Sequence, residues 1–134
     1  MEYYAKSENP QGHQETVKEH LQKVAALARE YGEVLGLEEP AELEGQIHDF
    51  GKYTESFQDV LKGTRTGVDH AIGGACFLEC CYRGKPGSHP VIEAVNGHHA
   101  GLVAYDMIRQ NCTRLRVNAD KLMETLGNCR RLKI

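Results

Sequence analysis

The sequence predicts an all-α protein that folds as one compact domain. Apolar residues recur at three- and four-residue steps in several segments, which is the period of a helix with one buried face. Glycine or proline lies at the ends of most of these segments, and no segment shows the strict alternation of a half-buried strand. A chain of 134 residues matches one ordinary domain, so we expect a single core within 1–134.

The first helix has the clearest start. Thr16 and Glu19 have the spacing of a capping box, in which each side chain accepts a hydrogen bond from the other residue's backbone N–H. The apolar pattern then runs from Val17 to Gly32. His20 falls near the edge of the face that this pattern buries, so we expect its ring to be partly shielded from water.

The next two helices are shorter. The second is predicted to begin near Pro40 and to end at Gly51, which places His48 and Asp49 in its last turn. The third is predicted over 54–61 and is followed by a glycine and a polar loop. The doublet is therefore expected at the end of a helix.

The remaining helices carry a progressively weaker signal. The fourth is predicted to open at His70 and to end before the turn 84–87, and the fifth is predicted over 88–97. Weaker patterns predict helical structure at 102–109 and 118–126 within a C-terminal helical segment, 103–134. Every candidate metal ligand considered below falls at a helix end or on its inward edge.

Charge and composition exclude several classes of protein. The formal charge is −3 and 26% of residues are charged, so a nucleic-acid contact must be local, supplied by another chain or mediated by metal. The N-terminal segment 1–12 is polar and lacks the apolar stretch of a signal peptide, and no apolar run reaches membrane-spanning length. We therefore expect a cytoplasmic protein without a membrane partner.

The cysteines favour a reducing compartment over a zinc site. There are five, an odd number, and none has Cys-x-x-Cys spacing. Cys76 and Cys80 lie one helical turn apart among apolar residues, which predicts small buried core residues.

Histidine content is the main functional signal, because the chain has seven histidines. Imidazole and carboxylate suit divalent transition metals, and the candidate ligands are His20, His48, Asp49, His70, His98 and His99. Each motif is weak alone, since a buried histidine is more often a hydrogen-bonded core residue. His13 and His89 lie in polar or proline-containing stretches and are expected in solvent.

The order of these motifs resembles the HD superfamily of metal-dependent phosphohydrolases. Within that superfamily the chain is most similar to the HD nuclease of type I CRISPR systems, and the resemblance covers about 16–102. The matching segments are Gly45-Gln46-Ile47-His48-Asp49-Phe50-Gly51-Lys52, Phe57-Gln58, His70-Ala71-Ile72-Gly73-Gly74 and Gly97-His98-His99-Ala100-Gly101-Leu102. Phe57 has helical spacing with Leu61, so a core position explains it as well.

The resemblance implies a compact HD-type helical domain with two divalent ions. The implied ligands are His20, His48 and Asp49 for the first ion, and Asp49, His70, His98 and His99 for the second. Manganese, iron, cobalt, nickel and magnesium are all compatible with such ligands. The catalytic residues implied are Asp49, which bridges the ions, and Lys52, which reaches a phosphate oxygen. Lys52 also has a simpler interpretation as an exposed lysine at a helix C-terminus.

The activity implied is a metal-dependent phosphodiesterase that degrades single-stranded DNA in CRISPR interference. Its partners would be a helicase domain or subunit and the CRISPR surveillance complex. The alternatives are an HD nucleotide phosphohydrolase and a catalytically degenerate HD binding module. The chain departs from the family in two ways: it is short, as in a shortened or truncated form, and only Asp106 and Asp120 follow the histidine pair as candidates for the family's late aspartate ligand.

Overall fold

The computed structural model describes residues 2–116, and every regular element in that range is helical, which confirms the predicted all-α class. The α-helices are α1 (Val17–Glu33), α2 (Glu38–Ile47), α3 (Glu55–Leu61), α4 (Ala71–Cys81), α5 (Ser88–Gly97) and α6 (Tyr105–Arg116). A short 3-10 helix, Phe50–Tyr53, lies between α2 and α3. Within the described part of the chain, no helix is both long and apolar enough to cross a bilayer.

Side chains cap the N-terminal ends of two helices near the site, α1 and α4. The capping box of α1 is confirmed: the Thr16 hydroxyl accepts from the Glu19 N–H at 3.2 Å, and the Glu19 carboxylate accepts from the Thr16 N–H at 3.0 Å. At α4, the Asp69 carboxylate accepts from the N–H groups of Ala71 at 2.9 Å and Ile72 at 3.3 Å. These caps satisfy N–H groups that have no partner within their helix.

The helices pack as two groups around one core. α1 lies against α2, where a Cβ on Gly45 would be only 2.6 Å from the Cα of Ala25. α4 packs against α5 and α6, and α2 also contacts α5, which joins the groups. The largest fully buried side chains are those of Tyr53, Phe50, Leu78, Ile92, Ile108, Val17, Val95 and Cys76. These largest buried side chains thus come from α1, α4, α5, α6 and the 3-10 helix, and Ile47 of α2 packs in the same cluster.

The predicted end of the second helix was wrong. α2 ends at Ile47, four residues before Gly51, and the chain then turns through His48 and Asp49 into the 3-10 helix. The reason is a close backbone approach, since a Cβ on Gly51 would overlap the backbone carbonyl of His70. The segment after α2 therefore follows the start of α4 instead of continuing as a helix.

The N-terminal segment is less solvated than its composition suggests. Tyr3 and Ala5 are buried, and the Ala5 N–H donates to the Glu15 carbonyl at 2.9 Å. The Gln58 side-chain amide donates to the Tyr4 carbonyl at 3.0 Å and accepts from the Tyr4 N–H at 3.0 Å. Gln58 therefore has a structural role: it fastens the segment across the domain.

Other predictions from the sequence have mixed outcomes. Phe57 and Cys76 are buried as predicted, whereas Cys80 is exposed because α5 and α6 cover a different side of α4. The C-terminal pattern over 102–109 corresponds to a helix that begins later and extends to Arg116. The helix predicted over 118–126 lies outside the described residues.

Gly74 in α4 provides a test of the helix contact that supports the site. Replacing glycine by alanine in a helix interior usually stabilises a protein by about 1 kcal/mol. Here the new Cβ would overlap the Ile47 carbonyl and lie 2.9 Å from Val95 Cγ1. We expect Gly74→Ala to lower the free energy of unfolding in urea by about 1–3 kcal/mol. The control Cys81→Ala, at an exposed position of α4, should change it by less than about 0.5 kcal/mol. A stabilised Gly74→Ala protein would contradict this packing.

Candidate metal centre

The site is built around one buried carboxylate. Asp49 follows α2 and is only 4% exposed. The residues that surround it come from four separate elements: His20 from α1, His48 from the end of α2, His70 from the start of α4, and His98 and His99 from the end of α5. The structure thus brings together all six candidate ligands identified in the sequence.

The two oxygens of Asp49 face different sets of side chains. Oδ2 lies 3.0 Å from His20 Nε2, 3.2 Å from His48 Nε2 and 2.8 Å from Lys52 Nζ. Oδ1 lies 3.2 Å from both His70 Nε2 and His98 Nε2. One carboxylate therefore separates the histidines into two groups.

His99 joins the second group through another histidine. Its Nε2 lies 2.7 Å from the Nε2 of His70, and its ring is more exposed than the other imidazoles of the cluster. The side chains of His20, His48, His70 and His98 are only 15–17% exposed. The cluster is consequently shielded on most sides and reaches solvent at His99.

Backbone carbonyls orient two of the rings. His48 Nδ1 donates to the Gly45 carbonyl at 2.9 Å, and His98 Nδ1 donates to the Val95 carbonyl at 2.7 Å. A neutral imidazole has only one N–H, so a ring that donates from Nδ1 presents a lone pair at Nε2. That lone pair faces a carboxylate oxygen, which also only accepts. The contact requires either an imidazolium or a cation shared by the nitrogen and the oxygen.

Glu15 lies behind His20 on the side away from Asp49. Its Oε2 is 3.4 Å from His20 Nδ1, and its carboxylate also pairs with Lys23 at 2.9 Å and Lys6 at 3.3 Å. The hydrogen bond from Lys23, together with that from Lys6, lowers the pKa of Glu15 to about 2. A charged carboxylate behind a ring nitrogen is the arrangement that orients histidine ligands in metal sites.

Burial and hydrogen bonding shift the pKa of Asp49 in opposite directions, and the same holds for His48. Burial by itself raises the pKa of Asp49, but hydrogen bonds from His48, His70 and Lys52 outweigh it and hold that pKa well below its usual range. Burial lowers the pKa of His20 and His99. For His48, burial is outweighed by the hydrogen bond with Asp49, so its pKa is raised. Asp49 is therefore an anion throughout the neutral range.

The donor atoms fit a metal ion in both type and spacing. The candidate ligand groups are His20, His48 and Asp49, and Asp49, His70, His98 and His99, and the ligand atoms within each group lie within 4.8 Å of one another. Two donors about 2.1 Å from one ion and at right angles are about 3.0 Å apart. The Asp49–histidine distances, 3.0–3.2 Å, agree with that spacing. The buried histidine and aspartate group can therefore hold a metal ion.

Lys52 is not the exposed lysine at a helix C-terminus that its sequence position also allowed. Its side chain is 12% exposed, and its ammonium donates to the Ala5 carbonyl at 3.2 Å in addition to contacting Asp49. The ring of Phe57 lies 5.3 Å from the same ammonium. Lys52 thus links the carboxylate to the N-terminal segment.

Other candidate residues lie away from the cluster. His13 and His89 are exposed, as expected, and the His89 ring stacks on Tyr105 at 3.7 Å. Asp106 is exposed in the first turn of α6 and belongs to neither ligand group. Asp120 lies outside the described residues. Among those residues, the first group has three ligands and no late aspartate.

Sequence reasoning missed two residues that support the ligands. Asp69 caps α4 directly before His70, and an aspartate at a predicted helix start is a signal that could have identified it. Glu15 precedes the first capping box, and its sequence position gives no comparable signal. Its contact with His20 arises from the turn of the chain into α1.

Comparisons with known proteins give no family assignment. No protein-family model matches the chain, and no curated protein matches it significantly. The family resemblance therefore rests on the order of the sequence motifs.

Metal binding should stabilise the folded protein, because an unfolded chain has no assembled ligand set. At free metal about 100 times the dissociation constant, the expected gain is about 2.7 kcal/mol in the free energy of unfolding. We expect Mn²⁺ or Zn²⁺ to raise the melting temperature of chelator-treated protein, and expect this increase to be lost in Asp49→Ala. Each variant is compared with its own metal-free melting temperature. His89→Ala, at an exposed histidine outside the cluster, should retain the full increase.

Proposed function

We propose that this protein is a metal-dependent phosphodiesterase that cleaves single-stranded DNA, acting with a helicase and a CRISPR surveillance complex. The observation that carries the proposal is the division of the imidazoles between the two oxygens of Asp49. A carboxylate can give one oxygen to each of two ions, whereas a ring nitrogen can serve only one. This arrangement supports two ion positions that share Asp49.

Divalent ions in such positions supply Lewis acidity toward a phosphate oxygen and activate water for hydrolysis. His20 and His48 would hold the first ion with Asp49, and His70, His98 and His99 would hold the second. Three or four protein ligands for each ion leave coordination positions open, whereas a structural site is normally closed by protein ligands. The ligand count therefore favours a catalytic centre over a structural one.

The protein's own groups would hold this centre in a fixed geometry. The Gly45 and Val95 carbonyls fix the rings of His48 and His98, and Glu15 orients His20. The Lys52 ammonium balances part of the Asp49 charge. Fixed charges and dipoles in a partly water-excluded site stabilise a developing anion more effectively than solvent does.

A substrate would approach from the side of His99, the most exposed ring of the cluster. The Phe57 ring packs 5.1 Å from the ring of His70 and helps exclude water on the inner side. A nucleotide triphosphatase would need several cationic groups for its substrate. Among the described residues around the centre, only Lys52 contacts it as a cation, which favours a phosphodiester over a triphosphate.

The formal charge of −3 is compatible with this substrate if the partner supplies most of the electrostatic attraction for the strand. A helicase would also present the strand in unpaired form. Manganese, cobalt and nickel are the ions to test first, because imidazole–carboxylate sites accept several first-row metals.

The nuclease proposal predicts degradation of a labelled single-stranded oligodeoxynucleotide by purified protein in the presence of Mn²⁺, Co²⁺ or Ni²⁺. Asp49→Ala should abolish degradation, because it removes the group common to both ligand sets, and should cost more than alanine at any one histidine. His13→Ala is the matched control and should retain full activity, since His13 is exposed and outside the cluster.

Two outcomes would contradict the nuclease proposal. Degradation that persists in Asp49→Ala would identify a contaminating nuclease. Hydrolysis of nucleoside triphosphates without any action on oligonucleotides would favour the nucleotide phosphohydrolase alternative instead.

Lys52→Met tests whether Lys52 acts on the substrate or only holds Asp49 in place. Removal of one charged group that stabilises a developing anion commonly costs about 100-fold or more in kcat. We expect kcat on the oligonucleotide to fall by about 10- to 100-fold, with little change in KM and in bound metal measured by elemental analysis. If bound metal falls by the same factor as kcat, Lys52 acts only by holding Asp49 in place.

A further inference from the structure

A groove of about 740 Å³ opens directly beside the candidate metal centre. Its walls come from the start of α4, the end of α5 and one side of α6, and two ligands of the second group, His70 and His99, are among its lining residues. The remaining lining residues include Ile72, Asn96, Val103, Met107, Asn111 and Arg114. The groove is therefore continuous with the exposed side of the histidine cluster.

The two faces of α6 have different roles. Ile108 and Cys112 are buried in the core, 0% and 2% exposed. Met107, Asn111 and Arg114 follow one another at helical spacing on the groove side. Met107 is 55% exposed and is among the large apolar residues that the described fold leaves uncovered. α6 thus presents a row of three side chains to the groove that the histidines also line.

The groove combines apolar, amide and cationic side chains. Ile72, Val103 and Met107 provide an apolar wall. Asn96 and Asn111 provide amides that can both donate and accept hydrogen bonds. Arg114 adds a guanidinium, whose planar set of donors matches the oxygens of a phosphate. An apolar wall together with a phosphate-binding cation fits the base and backbone of a nucleotide.

The charge of α6 favours a polyanion on this side. The helix contains three arginines and one acidic residue, Asp106, whereas the whole chain has 16 Lys or Arg and 19 Asp or Glu. α6 therefore has an excess of positive charge that the chain as a whole lacks. A local excess of this kind raises affinity for a nucleic-acid backbone even when the whole protein is acidic.

We infer that this groove binds the nucleotides of a single strand next to the phosphate to be cleaved, and that Arg114 contacts a backbone phosphate. The inference rests on the proposed nuclease function and identifies where its substrate lies. An apolar wall can contact the face of an unpaired base, which a duplex keeps stacked. Arg114 is then a specificity-determining residue that distinguishes a strand from a small phosphodiester.

Binding of fluorescent oligothymidylate in the presence of chelator tests the groove without hydrolysis. Arg114→Gln should weaken binding by about 10-fold, because a charge-assisted hydrogen bond to phosphate is lost. The slope of log affinity against log salt concentration should decrease by about 0.7, the value for one phosphate contact on a single strand. Arg109→Gln is the matched control: Arg109 is exposed on the same helix but does not line the groove, so both quantities should change much less than in Arg114→Gln.

Met107→Ala provides a second test of the groove, at a side chain without charge. It should weaken binding of oligothymidylate while leaving the salt slope unchanged, because it removes an apolar contact and no charge. Met107 and Arg114 are both exposed, so neither replacement removes a core side chain. Equal effects of Arg114→Gln and Arg109→Gln, or no effect of Arg114→Gln and Met107→Ala, would overturn the groove as the binding site.

Hydrolysis of bis(4-nitrophenyl) phosphate with Mn²⁺ separates this inference from the proposed function. This small diester needs the metal centre but has no second phosphate for Arg114 to contact, so Arg114→Gln should hydrolyse it at the wild-type rate while its KM for the oligonucleotide rises by about 10-fold. If Arg114→Gln hydrolyses the diester normally and its KM for the oligonucleotide is unchanged, the groove is not the binding site, and the proposed nuclease function is unaffected. A wild-type protein that is metal-loaded but hydrolyses neither substrate would overturn the nuclease function.

Discussion

The buried carboxylate of Asp49 is the constraint on which the rest of the structure depends. An unpaired charge in a protein interior costs several kcal/mol, so its position requires compensating groups on both oxygens. Here these groups come from α1, the end of α2, the start of α4 and the end of α5. The α1–α2 pair and the α4–α5 pair must therefore meet at one point. This requirement explains why the ligands lie at helix ends, where a side chain can reach the meeting point without carrying its whole helix into it.

Close backbone packing makes the convergence possible. Gly51 lies against the carbonyl of His70, and Gly74 lies against the carbonyl of Ile47, with no room for a Cβ at either position. The segment that carries Asp49 and the helix that begins after His70 thus approach more closely than side chains would allow. The glycines beside the histidine motifs consequently have a packing function, which links the stability of the fold to the geometry of the centre.

The sequence predicted those features that depend on local patterns. The capping box of α1 and the extent of α5 follow from residues within one or two turns of each other, and both agree with the structure. The end of α2 and the exposure of Cys80 depend on what packs against them from distant parts of the chain, and local periodicity gave the wrong result. The six candidate ligands were found through the order of the motifs, and the structure adds their convergence; metal ligation stays a prediction. The sequence did not predict the role of Glu15, because its contact with His20 depends on a turn that the periodicity does not describe.

The hydrogen-bonding inventory of the cluster favours a metal ion over a network of protein groups alone. A carboxylate accepts and cannot donate, so a purely protein arrangement would need an N–H from every ring that faces Asp49. His48 and His98 already direct an N–H toward a backbone carbonyl, and their other nitrogens still face Asp49. Without an ion, both rings would have to be imidazolium; Asp49 raises the pKa of His48 in that direction, whereas the Lys52 ammonium beside Asp49 lowers it. A divalent ion would remove the conflict, because lone pairs from nitrogen and oxygen can point at the same cation. The tautomers fixed by Gly45 and Val95 are thus better suited to ligands than to hydrogen-bond donors, and that preference originates in the backbone turns at the ends of α2 and α5.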